Sequence, residues 1–115
     1  QECVSARLMR LIGEAMPKIK HVVFFRFKDG TSASHIQEMF CEIGRLQKLI
    51  PGMLDFTWGP NVSSEGLNQG FTHALTMTFE SAAARDAYLP HPEHERVKDL
   101  VLPHVASVIV LDYEA

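Results

Sequence analysis

At 115 residues and 12.9 kDa the chain fits one domain and leaves no room for two ordinary ones. Apolar residues at 46% and charged ones at 22% exclude a disordered tail and a membrane bundle, and no apolar stretch approaches the ~20 residues a bilayer needs. Eleven Lys plus Arg against fourteen Asp plus Glu give a net charge of −3, which argues against a nucleic-acid partner. Two cysteines, Cys3 and Cys41, are too few for a disulfide framework and point to a reducing, cytoplasmic setting.

The chain opens with Gln1 rather than Met, so residues 1–17 are read as an N-terminal extension with a processed or trimmed start, and residues 18–115 as the domain. In the extension Val4, Leu8, Leu11, Ile12 and Ala15 recur at helical spacing before Pro17, while Arg7, Arg10 and Glu14 break up any signal-peptide core. From Ile19 to Phe27 the period becomes two. Ile19, His21, Val23, Phe25 and Phe27 share one face, with Val22, Phe24 and Arg26 on the other. Both faces are mostly apolar, so the strand is expected to be covered on both sides.

Asp29-Gly30 predicts a turn, and Ser32 or Ser34 (Gln37 lying three residues beyond the latter) a helix cap. Ile36, Met39, Phe40, Ile43, Leu46 and Ile50 form a helical stripe that Pro51-Gly52 ends. A second strand is predicted from about Leu54 to Val62, then a hairpin loop over Ser63 to Gly70. The third strand sets Phe71, His73, Leu75, Met77 and Phe79 against Thr72, Ala74, Thr76 and Thr78. Ser81 caps a helix that Pro90 ends, Pro92 starts another that runs to Pro103, and Val105 to Tyr113 alternate as a last strand.

This order, βαββαβ with the second helix broken in two, is that of a ferredoxin-like α+β fold: a four-stranded antiparallel sheet with helices on one face. The other face carries Val22, Phe24, Val108 or Ile109, and threonines. That much apolar area predicts a homodimer packed sheet to sheet, a dimeric α/β barrel.

Three groups of residues invite chemistry. His21 and His73 lie on the helix-facing sides of their strands, where a buried imidazole needs a hydrogen-bond partner, commonly a backbone carbonyl. Tyr88-Leu89-Pro90-His91-Pro92-Glu93-His94 is a stiff turn that can bring a phenol and an imidazole together, the groups needed for proton abstraction and oxyanion stabilisation at a carbonyl. The same residues also suit a plain capping turn, with His91 at the N-cap and His94 in the first turn. A zinc site on His73, His91 and His94 has no supporting thiolate cluster or His-Glu-x-x-His signature. Gly66 and Gly70 do not open a helix, which weighs against a phosphate loop, and Cys41 lacks a neighbour that would activate it.

Lys20-His21-Val22-Val23-Phe24-Phe25-Arg26-Phe27-Lys28, Ile50-Pro51-Gly52-Met53, Trp58-Gly59, Gly70-Phe71-Thr72-His73, Thr78-Phe79-Glu80-Ser81, the Tyr88 to His94 turn and Asp112-Tyr113 together resemble the stress-responsive A/B barrel domain (Dabb) family across Ile19 to Tyr113. The resemblance implies a dimeric barrel. From the family's polyketide cyclases it implies His94 as general base, Tyr88 as hydrogen-bond donor to a polarised carbonyl, and His21 and His73 as pocket histidines. Phe25, Phe40, Phe56, Leu75 and Leu89 match the apolar pocket. Two departures stand out: the cyclase pattern has a helix tyrosine where this chain has Ile43, and a tryptophan where it has Val105, so the pocket differs in shape. No cofactor is implied beyond a structural Mg²⁺ on main-chain carbonyls of Gln47, Ile50 and Met53, where the first helix ends.

Two main readings follow: a stress-related homodimer that binds a small hydrophobic or carbonyl ligand, and an aldol-type lyase or cyclase that uses Tyr88 and His94. A cofactor-independent monooxygenase or haem-handling enzyme on the same barrel is a third, without a sequence signal of its own.

Overall fold

The computed structural model describes residues 16–115; the helical spacing from Val4 to Ala15 and Cys3 lie outside the described residues. Strand β1 (Ile19–Phe27) leads to helix α1 (Ala33–Leu49), then to the hairpin of β2 (Met53–Pro60) and β3 (His73–Phe79). Helices α2 (Ala82–Tyr88) and α3 (Pro92–Val101) follow, then a 3₁₀ turn (Leu102–His104) and β4 (Val105–Glu114). All neighbouring strands are antiparallel, in the order β2-β3-β1-β4, the ferredoxin-like arrangement. No helix among the described residues is long and apolar enough to cross a membrane.

Local chemistry sets the element ends. Ser32, and not Ser34, caps α1: its hydroxyl accepts from the His35 N–H at 3.1 Å, so no capping box forms with Gln37. Ser81 caps α2 in the same way through the Ala84 N–H at 3.1 Å. The imidazole of His91 caps α3 by accepting from the Glu93 N–H at 3.1 Å. The predicted α1 stripe is buried throughout, from Ile36 to Ile50. It meets the β1 face of Ile19, Val23, Phe25 and Phe27 and the β3 face of Leu75, Met77 and Phe79 in one core.

Two strand expectations shift. Strand β2 ends at Pro60 rather than near Val62. Phe71 precedes β3 instead of sharing its core face. A turn closed by the Phe71 N–H donating to the Asn68 carbonyl at 2.9 Å takes it out of the alternation, and its ring lies 6.4 Å from that of Phe24.

The helices lie on one face only, as the pattern predicts. On the other, Phe24 opposes Ile109 and Val22 opposes Leu111, with Phe24, Ile109 and Leu111 exposed. Ile109, not Val108, therefore belongs to the outer face, and β1 is covered on one side within a single chain. A bulge between Arg26 and Phe27 lets Val105 stand opposite core-facing Phe27 although Ser107 stands opposite outward Arg26.

Gly52 joins α1 to β2 at φ +93°, and a Cβ there would sit 2.6 Å from the Ala84 Cβ of α2; Gly30 has a similar φ, +87°, but open space around it. Gly52→Ala should therefore lose more stability in urea unfolding than Gly30→Ala. The shared backbone strain is of order 1–3 kcal/mol, and the excess reports the contact with α2.

Candidate functional site

Helix α1 packs on β2 and α3, and α2 on β3, while β4 pairs with β1 at the edge of the sheet. Between these helices and β4 lies a cavity of about 340 Å³. Its walls are mostly apolar: Val23 and Phe25 from β1, Ile43 and Leu46 from α1, Leu75 and Met77 from β3, and Val97 from α3. Val108 and Val110 point to the helix side yet are 42% and 55% exposed, which places the mouth along β4.

Four polar side chains line it: His21, Tyr88, His94 and Lys98. Tyr88 ends α2 and is fully buried. The turn through Pro90 and Pro92 folds α3 back so that the His94 ring stacks on Tyr88, centroids 4.1 Å apart and planes 27° apart. The turn caps a helix and also brings the two rings together: His91 is the cap, while His94, in the first turn, faces Tyr88. The His21 ring stands edge-on to Tyr88 at 6.1 Å.

Hydrogen bonds orient the imidazoles. His94 Nδ1 lies 2.9 Å from the Leu89 carbonyl, which can only accept, so this contact assigns the proton to Nδ1 and leaves Nε2 with its lone pair in the neutral ring. His21 Nδ1 lies 2.7 Å from Asp112 Oδ1, and the same logic leaves Nε2 of His21 unprotonated when the ring is neutral. Asp112 in turn accepts from Arg85 Nη1 at 2.7 Å. Among the described residues no buried side-chain nitrogen or oxygen lacks a partner. The Tyr88 hydroxyl and His21 Nε2 bond to no described group, and both residues line the cavity.

Burial acts on the pair in a useful direction. It pushes the Tyr88 phenol well above its ordinary value, so the group stays a donor. Burial also lowers the His94 pKa against the opposing pull of the Leu89 carbonyl, which favours the neutral ring with its lone pair free on Nε2. A neutral acceptor and a protonated donor side by side are what proton transfer at a carbonyl needs.

The other expected pocket residues divide. Phe25, Leu75 and Leu89 line the cavity with His21. Phe40, Phe56 and His73 lie outside its lining. Phe40 stacks on Trp58 at 4.4 Å, His73 packs against Phe27 at 5.4 Å and Phe40 at 5.9 Å, and Phe56 packs against Gly44. Ile43 lines the cavity and Val105 packs against the core. Among the described residues no group of three His, Cys, Asp or Glu is placed to hold a metal. At the end of α1 the residue types do suit a hard cation: the Gln47 carbonyl lacks its i+4 donor because Pro51 has no N–H.

Asp112 and Arg85 are residues of this site to which the sequence reading gives no role. Asp112 enters there only within the closing Asp112-Tyr113 of the family pattern, and it shares the parity of Val108 and Val110, a carboxylate on the helix-facing side of the last strand. Arg85 carries no such signal.

The fold and this cavity define a ferredoxin-like α+β domain with a mostly apolar cavity under its helices. The stress responsive A/B barrel domain profile matches residues 19–115, and the chain belongs to that family. It is 41% identical over 101 residues to stress-response A/B barrel domain-containing protein HS1 of Arabidopsis thaliana (88% of this chain, 93% of the relative). It is 30% identical over 95 residues to olivetolic acid cyclase of Cannabis sativa (83% and 94%). Among solved structures, hydroxynitrile lyase from Passiflora edulis superposes with a TM-score of 0.81 at 29% identity (86% and 94%). A protein from Jannaschia described as dimeric and ferredoxin-like superposes at 0.76 and 25% identity (85% and 99%).

Burial also lowers the His73 pKa, so both His73 and His94 titrate below the ordinary imidazole value near 6.5 when folded. Above that value neither state is charged. As pH falls through it the unfolded chain takes up protons first, and stability drops until the folded-state values are passed. Urea midpoints should therefore fall from about pH 7.5 to about pH 5, and fall less in His94→Gln and in His73→Gln. An equal drop in all three proteins would contradict the assignment.

Proposed function

We propose that the chain is a homodimeric, cytoplasmic domain whose cavity binds a small hydrophobic compound carrying a carbonyl group. The observation that carries this reading is the cavity itself, about 340 Å³ of mostly apolar wall with four polar side chains, His21, Tyr88, His94 and Lys98. Small-molecule sites are built this way: burial supplies the affinity and a few polar groups fix the orientation. Dimerisation is supported by the exposed Phe24, Ile109 and Leu111 on the uncovered sheet face and by the dimeric description of the Jannaschia neighbour. A cytoplasmic setting rests on cysteine usage. A structural Mg²⁺ would sit on the Gln47, Ile50 and Met53 carbonyls, away from the cavity, and would tie the end of α1 to β2.

Acid–base catalysis is the second reading, favoured by the stacked Tyr88 and His94. His94 Nε2 takes a proton from the carbon next to a ligand carbonyl while the Tyr88 hydroxyl donates to the carbonyl oxygen, where enolate charge builds. The enolate carbon then bonds to a second carbonyl carbon of the same molecule, and the His94 imidazolium returns its proton to the resulting alkoxide. A cyclase and a lyase among the similar proteins fit such chemistry.

Sedimentation equilibrium should give twice 12.9 kDa for the wild type and the single-chain mass for Phe24→Asp. A single-chain wild type would end the homodimer reading. In calorimetry 2-nonanone should saturate one site per chain, and Val110→Trp at the mouth should weaken it about tenfold or more; no binding to the wild type would remove the ligand reading. In a polyketide-thioester turnover screen, Tyr88→Phe and His94→Ala should each lose about 10²–10⁴ of any wild-type rate. Equal, negligible rates in all three would leave binding without catalysis.

A further inference from the structure

Arg85 lies on α2 three residues before Tyr88, and its guanidinium reaches β4, where Nη1 donates to Asp112 Oδ2 at 2.7 Å. The other oxygen, Oδ1, accepts from His21 Nδ1 of β1 at 2.7 Å. Arg85 Nε donates to Asp86 Oδ1 at 2.8 Å, so two carboxylates hold the guanidinium. Three elements thus meet at one carboxylate, and His21 and Tyr88 both border the cavity.

Asp112 sits on the edge strand with its side chain 22% exposed, so by itself its carboxylate could turn toward water. A guanidinium presents its donors in a rigid plane and bonds a carboxylate oxygen directionally. Holding Oδ2 leaves Oδ1 aimed at His21. An imidazole that donates Nδ1–H to a carboxylate carries its lone pair on Nε2, across the ring from that carboxylate, and His21 lines the cavity.

We propose that Arg85 is a positioning residue that, through Asp112, holds His21 in the Nδ1–H tautomer and presents Nε2 to the cavity as an acceptor beside His94. Its use toward a ligand rests on the reading of the cavity as a binding site; the tautomer does not. Tyr88 and His21 are registered together, since one guanidinium ties the helix of the first to the strand pair of the second.

Long-range ¹⁵N–¹H spectra of the full chain, with no ligand and near neutral pH, read the tautomer directly. Neutral His21 should show a pyrrole-type Nδ1 and a pyridine-type Nε2, with a preference of about tenfold or more from the charge-assisted bond. That preference should fall severalfold in Arg85→Met and in Asp112→Asn and recover in part in Arg85→Lys, whose ammonium can also donate to Oδ2. The His94 tautomer, set by the Leu89 carbonyl, should not change. His21 signals in Arg85→Met that superimpose on the wild type, or a wild-type His21 protonated on Nε2, would overturn the proposal. A chain that binds no 2-nonanone yet shows the expected change would sink the binding reading and leave the role of Arg85 standing.

Discussion

Three helices of seventeen, seven and ten residues share one side of a four-stranded sheet, and their packing falls mainly on β2 and β3. Strand β4 receives little of that cover. Desolvation is therefore uneven: complete on the helix side over the middle of β1 and β3, partial along β4, and incomplete on the far face, where Phe24, Ile109 and Leu111 stay exposed. The core, the cavity and the exposed apolar surface are three results of this one constraint, because apolar area that helices do not reach must border either a void or water.

The same uneven desolvation gives the cavity its chemistry. Burying a group disfavours its charged form whichever sign that charge has, so it raises a phenol and lowers an imidazole. Tyr88 and His94 stand in one environment and are pushed apart, one kept as a donor and the other as an acceptor. His21 takes its orientation from a carboxylate braced by a guanidinium. Two imidazoles beside one phenol thus receive separate settings, one from a backbone carbonyl and one from an ion pair.

Periodicity made most of the fold legible. Period two in β1 and β3 and the 3.6 stripe of α1 depend only on which residues are apolar, and that property is printed residue by residue. One strand boundary and one choice of cap lay beyond periodicity. The spacing of Phe71 fits β3, whereas the turn at Asn68 to Phe71 carries it toward Phe24. Ser32 and Ser34 both suit a cap, and the helix takes Ser32, two residues before Ser34. Spacing cannot register a local change of chain direction.

Of the cavity, the sequence by itself determined the members that lie within one stiff segment: Tyr88 and His94 meet because Pro90 and Pro92 leave the backbone between them little choice. It also determined that His21 faces the helices, since strand parity is a local property. Only the tertiary structure decided that His21 and His73 belong to different surroundings, one at the cavity and one among Phe27, Phe40 and Trp58. It alone brought Arg85 and Asp112, 27 residues apart, to a common contact with His21. The physical reason is register: which residue of β4 stands opposite His21 depends on the pairing of two distant strands, and that pairing is an outcome of the whole sheet rather than of any segment within it.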